Sequence, residues 1–248
     1  MRRAMLAGVA VVVVTPISQA IAQPASQARV FITVNGGYQA TSVDFHDTIE
    51  IRQYVEDGAI DADYEIAAAP AFDVGGGARV WRNLAVGVGV SRFSKSNAAA
   101  VTAQIPHPFF FSRARAISGE SPALEREETA VHLQAVFLVP VGSRFHVALF
   151  GGPSFFAVKQ DLVESVVFSE SYPYDTASFT RAETDRQSES KIGFNTGVDV
   201  AYMFARNIGV GALVRVSRAS ITFESADGEP FSVNVGGTQI GGGLRLRF

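Results

Sequence analysis

The feature that most constrains this chain is a two-residue alternation in which the large, apolar face is the uniform one. Along 192–204, Ile192, Phe194, Thr196, Val198, Val200, Tyr202 and Phe204 share one face, opposite Gly193, Asn195, Gly197, Asp199, Ala201 and Met203. Leu84, Val86, Val88 and Val90 oppose Ala85, Gly87, Gly89 and Ser91; Ile208, Val210, Ala212, Val214 and Val216 oppose Gly209, Gly211, Leu213, Arg215 and Ser217. Val131, Leu133, Ala135, Phe137 and Val139 likewise oppose His132, Gln134, Val136 and Leu138. Period two is the geometry of a strand. A water-soluble sheet hides its apolar face and shows the polar one. Here the opposite face is glycine-rich, small or polar, which suits a narrow interior rather than water. The pattern implies an all-β barrel turned inside out, apolar outward to lipid.

Four further segments, Val30–Gln39, Ala71–Trp81, Phe145–Val158 and Ser232–Phe248, complete a set of eight. Their connections alternate in length. Short turns lie at Arg82-Asn83, Gly142-Ser143-Arg144 and Arg206-Asn207, and long polar stretches at 40–66, 95–127 and 164–190, with a shorter one at 224–230. Short periplasmic turns and long external loops are the rhythm of an eight-stranded antiparallel up-and-down transmembrane β-barrel, with both termini in the periplasm.

The N-terminus agrees. Arg2 and Arg3 precede an apolar run from Met5 to Val14, and Ala20-Ile21-Ala22 is a small-x-small pattern. Residues 1–22 are therefore expected to be a cleaved signal peptide, 23–28 a short N-terminal segment and 29–248 the barrel domain. The run of about ten apolar residues is too short for a spanning helix, which needs about 20. Removing Arg2 and Arg3 leaves 19 basic residues against 24 acidic ones, which argues against nucleic acid as a partner. With no cysteine in the chain, disulfides and thiolate metal sites are excluded, and no cofactor or metal is expected.

The chain ends Gly241-Gly242-Gly243-Leu244-Arg245-Leu246-Arg247-Phe248. Alternation closed by a terminal Phe resembles the C-terminal signature strand of outer-membrane barrels. Together with the export signal and the turn–loop rhythm, the chain resembles the small eight-stranded barrels typified by the membrane domain of outer-membrane protein A and by outer-membrane protein X. The resemblance implies residence in the outer membrane, with membrane lipid and lipopolysaccharide as surroundings. It also implies that Leu244, Leu246 and Phe248 are read by the barrel-assembly machinery during insertion. With nothing after Phe248, no peptidoglycan-binding domain is expected.

Eight strands enclose an interior that side chains can fill. Alternation turns Asp73, Arg79, His132, Gln134, His146, Asp199, Arg215, Gln239, Arg245 and Arg247 inward, as a structural polar network. Counted from the Arg206-Asn207 turn, Asp199 lies opposite about Leu213, with Arg215 as its expected diagonal ion-pair partner. Arg92 and Arg218 fall on the outward face by simple alternation, about ten residues from their turns, at the outer interface, unless a bulge flips their facing.

His132 is expected to pair near Ser154, but an inward pair in a filled lumen cannot meet a lipid, and no catalytic motif stands out. The first long loop is acidic, carrying Asp44, Asp47, Glu50, Glu56, Asp57, Asp61, Asp63 and Glu65, and reads as solvated; its spacing lacks a calcium-loop pattern. The second carries His107, Phe109, Phe110 and Phe111, either a candidate contact site for an external ligand of unknown identity or a cluster that packs on a neighbouring loop or dips into lipid. The leading expectation is a non-enzymatic surface barrel acting structurally or through its loops, in membrane integrity, adhesion or interaction. The alternatives are a narrow channel or small-molecule conduit, a lipid-modifying enzyme, and a soluble periplasmic barrel.

Overall fold

The computed structural model describes residues 29–40 and 43–248, so the expected signal peptide and the 23–28 segment lie outside the described residues. Among the described residues ten strands form: β1 (Val30–Gln39), β2 (Val43–Gln53), β3 (Glu56–Ile66), β4 (Ala69–Trp81), β5 (Leu84–Ile105), β6 (Arg115–Pro140), β7 (Phe145–Glu170), β8 (Ala177–Met203), β9 (Ile208–Glu224) and β10 (Pro230–Arg247). Eight close into a ring in which β1 pairs β4 on one side and β10 on the other; β4 through β10 follow in order, all antiparallel. The eight segments read from the alternation are these eight strands.

The other two strands correct the reading of the first loop. Residues 43–66 form a β2–β3 hairpin, and β3 pairs with the outer part of β5 (Ala59↔Gln104 to Tyr64↔Ala99). Its acidic residues fall mainly on the outer face, while Ile49, Ile60, Ala62 and Tyr64 turn inward and are buried. The second and third loops are also mostly strand, since β7 and β8 run 26 and 27 residues against 10 for β1. A tilted strand needs about 9–11 residues to span the membrane. At about 3.3 Å per residue, the surplus lifts a turret on the order of 35 Å above the bilayer.

The polarity of the wall inverts at the outer interface. Along β5 the outward residues are Leu84, Val86, Val88 and Val90, then Arg92, Ser94 and Ser96; the inward ones are Ala85, Gly87 and Gly89, then Phe93, Ala99, Val101, Ala103 and Ile105. β9 repeats this, with Val214 and Val216 followed outward by Arg218 and Ser220, and inward Gly209 and Gly211 followed by Ala219, Ile221 and Phe223. Below the switch the outer face meets lipid. Above it the outer face meets water, so the interior must supply the apolar core. That core joins Ile60, Val101, Ile117, Leu124, Phe156, Val158, Leu162, Ile221, Phe223 and Val233. The expectation of a small or polar interior therefore holds only for the membrane-spanning half. Exposed Trp81, Phe137, Phe145, Phe204 and Phe248 ring the turn end, and Tyr38, Phe72, Phe155 and Phe194 ring the switch level. These are the two aromatic girdles of a membrane barrel, at its two interfaces.

Local devices fit the long strands together. Ala123, at φ 61°, shifts the phase of β6 so that Ser121 and Leu124 both point inward. The β7–β8 hairpin leans over β6 because Gly119 leaves room for the Phe179 ring; a Cβ there would lie 2.0 Å from that ring.

Candidate functional site

Three regions carry the chemistry-bearing side chains: a polar plug in the lumen, a cavity beneath it, and the tip of the turret.

In the plug, Arg215 on β9 donates to Asp73 on β4 at 2.6 Å and to Gln239 at 3.2 Å, and Asn35 donates to the other Asp73 oxygen at 2.9 Å. The network climbs through Gln239, which donates to Gln39 at 3.2 Å, to Gln39, which donates to the Gly236 carbonyl at 2.8 Å. The Gly236 amide donates to Glu128 at 3.0 Å, and Glu128 is ion-paired with Arg126 at 2.7 Å. Nearly all these groups are buried, where polar atoms must find partners. Above them begins the apolar core of the turret.

The expected Asp199–Arg215 pair does not form. The register is as expected, with Asp199 opposite Leu213. However, Asp199 instead receives Arg245 from β10 through Nε at 3.0 Å and through Nη2. Arg245 crosses β9 over Gly211, where a Cβ would lie 2.7 Å from its Nε. Arg215 is thereby left to reach across the lumen to Asp73. The signal for this was present in the inward glycine beside two inward charges.

His132 does meet Ser154, at 2.7 Å, but its other ring nitrogen bonds Ser91 Oγ at 2.9 Å, where a hydrolase would place a carboxylate. Asn195 donates to the same Ser154 oxygen at 2.8 Å and accepts from Gln134 at 2.9 Å. His132 is wholly buried. The arrangement satisfies polar groups and offers a substrate no approach. Among the described residues, no cluster of His, Asp and Glu is placed to hold a metal ion. Arg92 and Arg218 point outward at the switch level, and Arg92 donates to Glu127 at 3.2 Å.

Beneath the plug is a cavity of about 1290 Å³ lined by Phe31, Arg79, Gln134, His146, Asp199, Arg245 and Arg247 and by the turn residues Asn83, Ser143, Arg144 and Arg206. It opens at the short-turn end.

At the opposite end three connections converge. Tyr54, in the β2–β3 turn, donates to Glu170 at 2.7 Å, and Arg115 donates to the same carboxylate at 2.6 Å. Arg115 also donates to the Pro106 carbonyl at 2.8 Å and the Tyr174 carbonyl at 3.2 Å, and the Ser112 amide donates to Glu56 at 2.6 Å. Burial works to raise the Glu170 carboxyl, but the Tyr54 and Arg115 hydrogen bonds outweigh it and hold the pKa below the usual glutamate value. His107 is buried beneath this tip, where Nδ1 accepts from the Phe109 and Phe110 amides at 3.1 and 3.2 Å. It is a brace for the loop and presents no contact surface. Phe109, Phe110, Phe111, Val55 and Tyr172 remain exposed, Phe111 at 75% and Tyr172 at 82%.

A closed ring of eight antiparallel strands, an apolar outer band between two aromatic girdles and a polar plug inside define an integral β-barrel membrane protein. Residues 7–248 match the family model described as the outer membrane protein beta-barrel domain, and the chain belongs to that family. Its place is the outer membrane. No curated protein matches the chain. Among solved structures it is similar to OprG from Pseudomonas aeruginosa, at 13% identity over 90% of this chain and 97% of that one, with a TM-score of 0.45. It is also similar to Neisserial surface protein A, at 11% identity over 88% and 97%, TM-score 0.41, and to the outer membrane protease OmpT from Escherichia coli, at 9% identity over 92% and 99%, TM-score 0.42.

Proposed function

We propose that this protein is a non-enzymatic surface barrel that works through the tip of its turret, exported by a signal peptide that is cleaved after Ala22. The observation that carries this reading is the conformation of the β2–β3 turn. Tyr54 and Val55 occupy φ values of 52° and 70°, a turn that Asn-Gly would form without strain. A left-handed non-glycine residue costs about 1–2 kcal/mol, and a β-branched one is a genuine outlier. This cost supports no core, since Val55 is 76% exposed. Such strain persists where the residues serve a purpose other than stability. Here it presents apolar side chains to the medium beside Phe109, Phe110, Phe111 and Tyr172, the kind of patch that marks a contact surface.

The lumen supports the same reading, because the plug and the apolar core above it stand in the way of a channel. His132 lacks the partners of a catalytic base. The surroundings of the wall are membrane lipid and lipopolysaccharide, with Arg92 and Arg218 at phosphate level, and Leu244, Leu246 and Phe248 form the strand offered to the assembly machinery. The test compares cells displaying the wild type with cells displaying Phe109→Ser/Phe110→Ser/Phe111→Ser at equal surface level. Loss of adhesion and autoaggregation in the variant supports the reading. Unchanged adhesion, or a measurable single-channel conductance in the purified wild type, sinks it.

A further inference from the structure

The cavity at the short-turn end holds more positive charge than the plug above it uses. Its lining includes seven arginines and two aspartates. Both aspartates are already engaged, Asp73 by Arg215 and Asp199 by Arg245. Arg247 stands within electrostatic reach of Arg79, Arg245 and the occupied Asp199, and His146 within reach of Arg79 and Arg247. The Arg247 guanidinium makes no ion pair with any described residue. Guanidinium groups gathered inside a wall whose outer face is lipid repel one another more than they would in bulk water. A counter-charge from outside the chain relieves that repulsion.

The shape points the same way. The cavity ends against the Asp73–Arg215 pair, and the void found next to Gln39, Glu128 and Gln239 measures only about 10 Å³, room for about one water. A solute entering from the periplasm ends its path against this plug. Phe31, Val136, Leu138 and Phe150 supply apolar wall between the arginines. Guanidinium forks match the oxygens of a phosphate in pairs.

We propose that this cavity is a periplasm-facing binding site for a phosphate-bearing anion, with Arg79 and Arg247 as the residues that hold it. The phosphate can belong to a small soluble molecule or to the headgroup of an anionic lipid.

The test uses the barrel purified in zwitterionic detergent, as wild type, as Arg79→Gln/Arg247→Gln, and as Arg186→Gln, a turret control. Removing like charges from a crowded cavity leaves the fold intact, and a retained gel-mobility shift on boiling checks this. Inorganic pyrophosphate is titrated by calorimetry, and co-purifying lipid is read by native mass spectrometry. Saturable pyrophosphate binding, weakened at least tenfold in the double variant and unchanged in Arg186→Gln, supports the site with a soluble ligand. No pyrophosphate binding, but an anionic phospholipid retained by wild type and Arg186→Gln and lost from the double variant, supports it with a lipid headgroup. Absence of both, or either one unaffected by the double substitution, overturns the proposal.

Discussion

Breaking the Asp73–Arg215 pair from one side is the most informative perturbation of the lumen. Both side chains are nearly buried, at 8% and 4% exposure, and 2.6 Å apart. Arg215→Met keeps an apolar stem of similar length and removes the charge, along with the guanidinium that lies over the Phe150 ring. Asp73 is then left with Asn35 as its donor. Stranding one partner of a buried pair costs about 3–5 kcal/mol. Because both residues border the cavity, water reaches the stranded carboxylate, so the expected loss lies at the lower end, about 3 kcal/mol. Asp73→Asn strands the guanidinium instead, with Gln239 still beside it, for a loss of about 2–3 kcal/mol by the same reasoning. The double variant strands neither charge and is expected to lose only about 1 kcal/mol, a coupling well beyond additivity. Equilibrium urea unfolding of the barrel in lipid vesicles, followed by the fluorescence of its single tryptophan, measures all four species. Two small and additive losses would refute the claim that this pair holds the plug together.

Three further outcomes follow from the same structure. Val55→Gly relieves the left-handed strain at the β2–β3 turn, and amide exchange along β2 and β3 should slow by roughly tenfold, the equivalent of about 1.4 kcal/mol. Faster exchange would mean that Val55 stabilises the hairpin. The Glu170 pKa is lowered on folding, so its contribution is complete above the unfolded value of about 4.5 and is lost as pH falls through the folded value. Proteolysis between residues 106 and 114 should therefore rise once the pH falls below the usual glutamate value, and Glu170→Gln should make cleavage there high at every pH. Trp81 is exposed at the turn end of the wall, so lipids brominated near the headgroup should quench it more than lipids brominated at the chain ends, with the reverse order contradicting the placement of the girdle.

The ring of strands was legible because membrane-spanning strands carry large apolar residues at every second position, and the two-residue period leaves no freedom of facing. The plug members were legible for the same reason, since Asp73, His132, Asp199, Arg215, Gln239 and Arg245 all fall on the small face. Their partners were not. Asp73 and Arg215 meet across the lumen from strands that are not neighbours, and Arg245 reaches Asp199 over a glycine, whereas counting residues around a turn finds only adjacent strands. The β2–β3 hairpin was missed because its acidic outer face, from Asp44 to Glu65, masks the inward series Ile49, Ile60, Ala62 and Tyr64. The apolar core of the turret was hidden by the inversion near Arg92: the period persists, but the solvent of the outer face changes from lipid to water. His107 sits two residues from exposed Phe109 and yet is buried, a distinction that only the fold of the loop makes.

A tip that works outside the cell requires the short turns of the barrel to face the periplasm and the long hairpins to form a turret on the outer side. The absence of native cysteine makes this directly measurable by placing one cysteine at a time and labelling intact cells with a membrane-impermeant maleimide. Ser112→Cys, at the turret tip, should label in intact cells. Arg206→Cys, in a short turn, should label only after the outer membrane is opened. Labelling of Arg206→Cys in intact cells, or protection of Ser112→Cys, would contradict the arrangement and with it the assignment of the tip as the working surface.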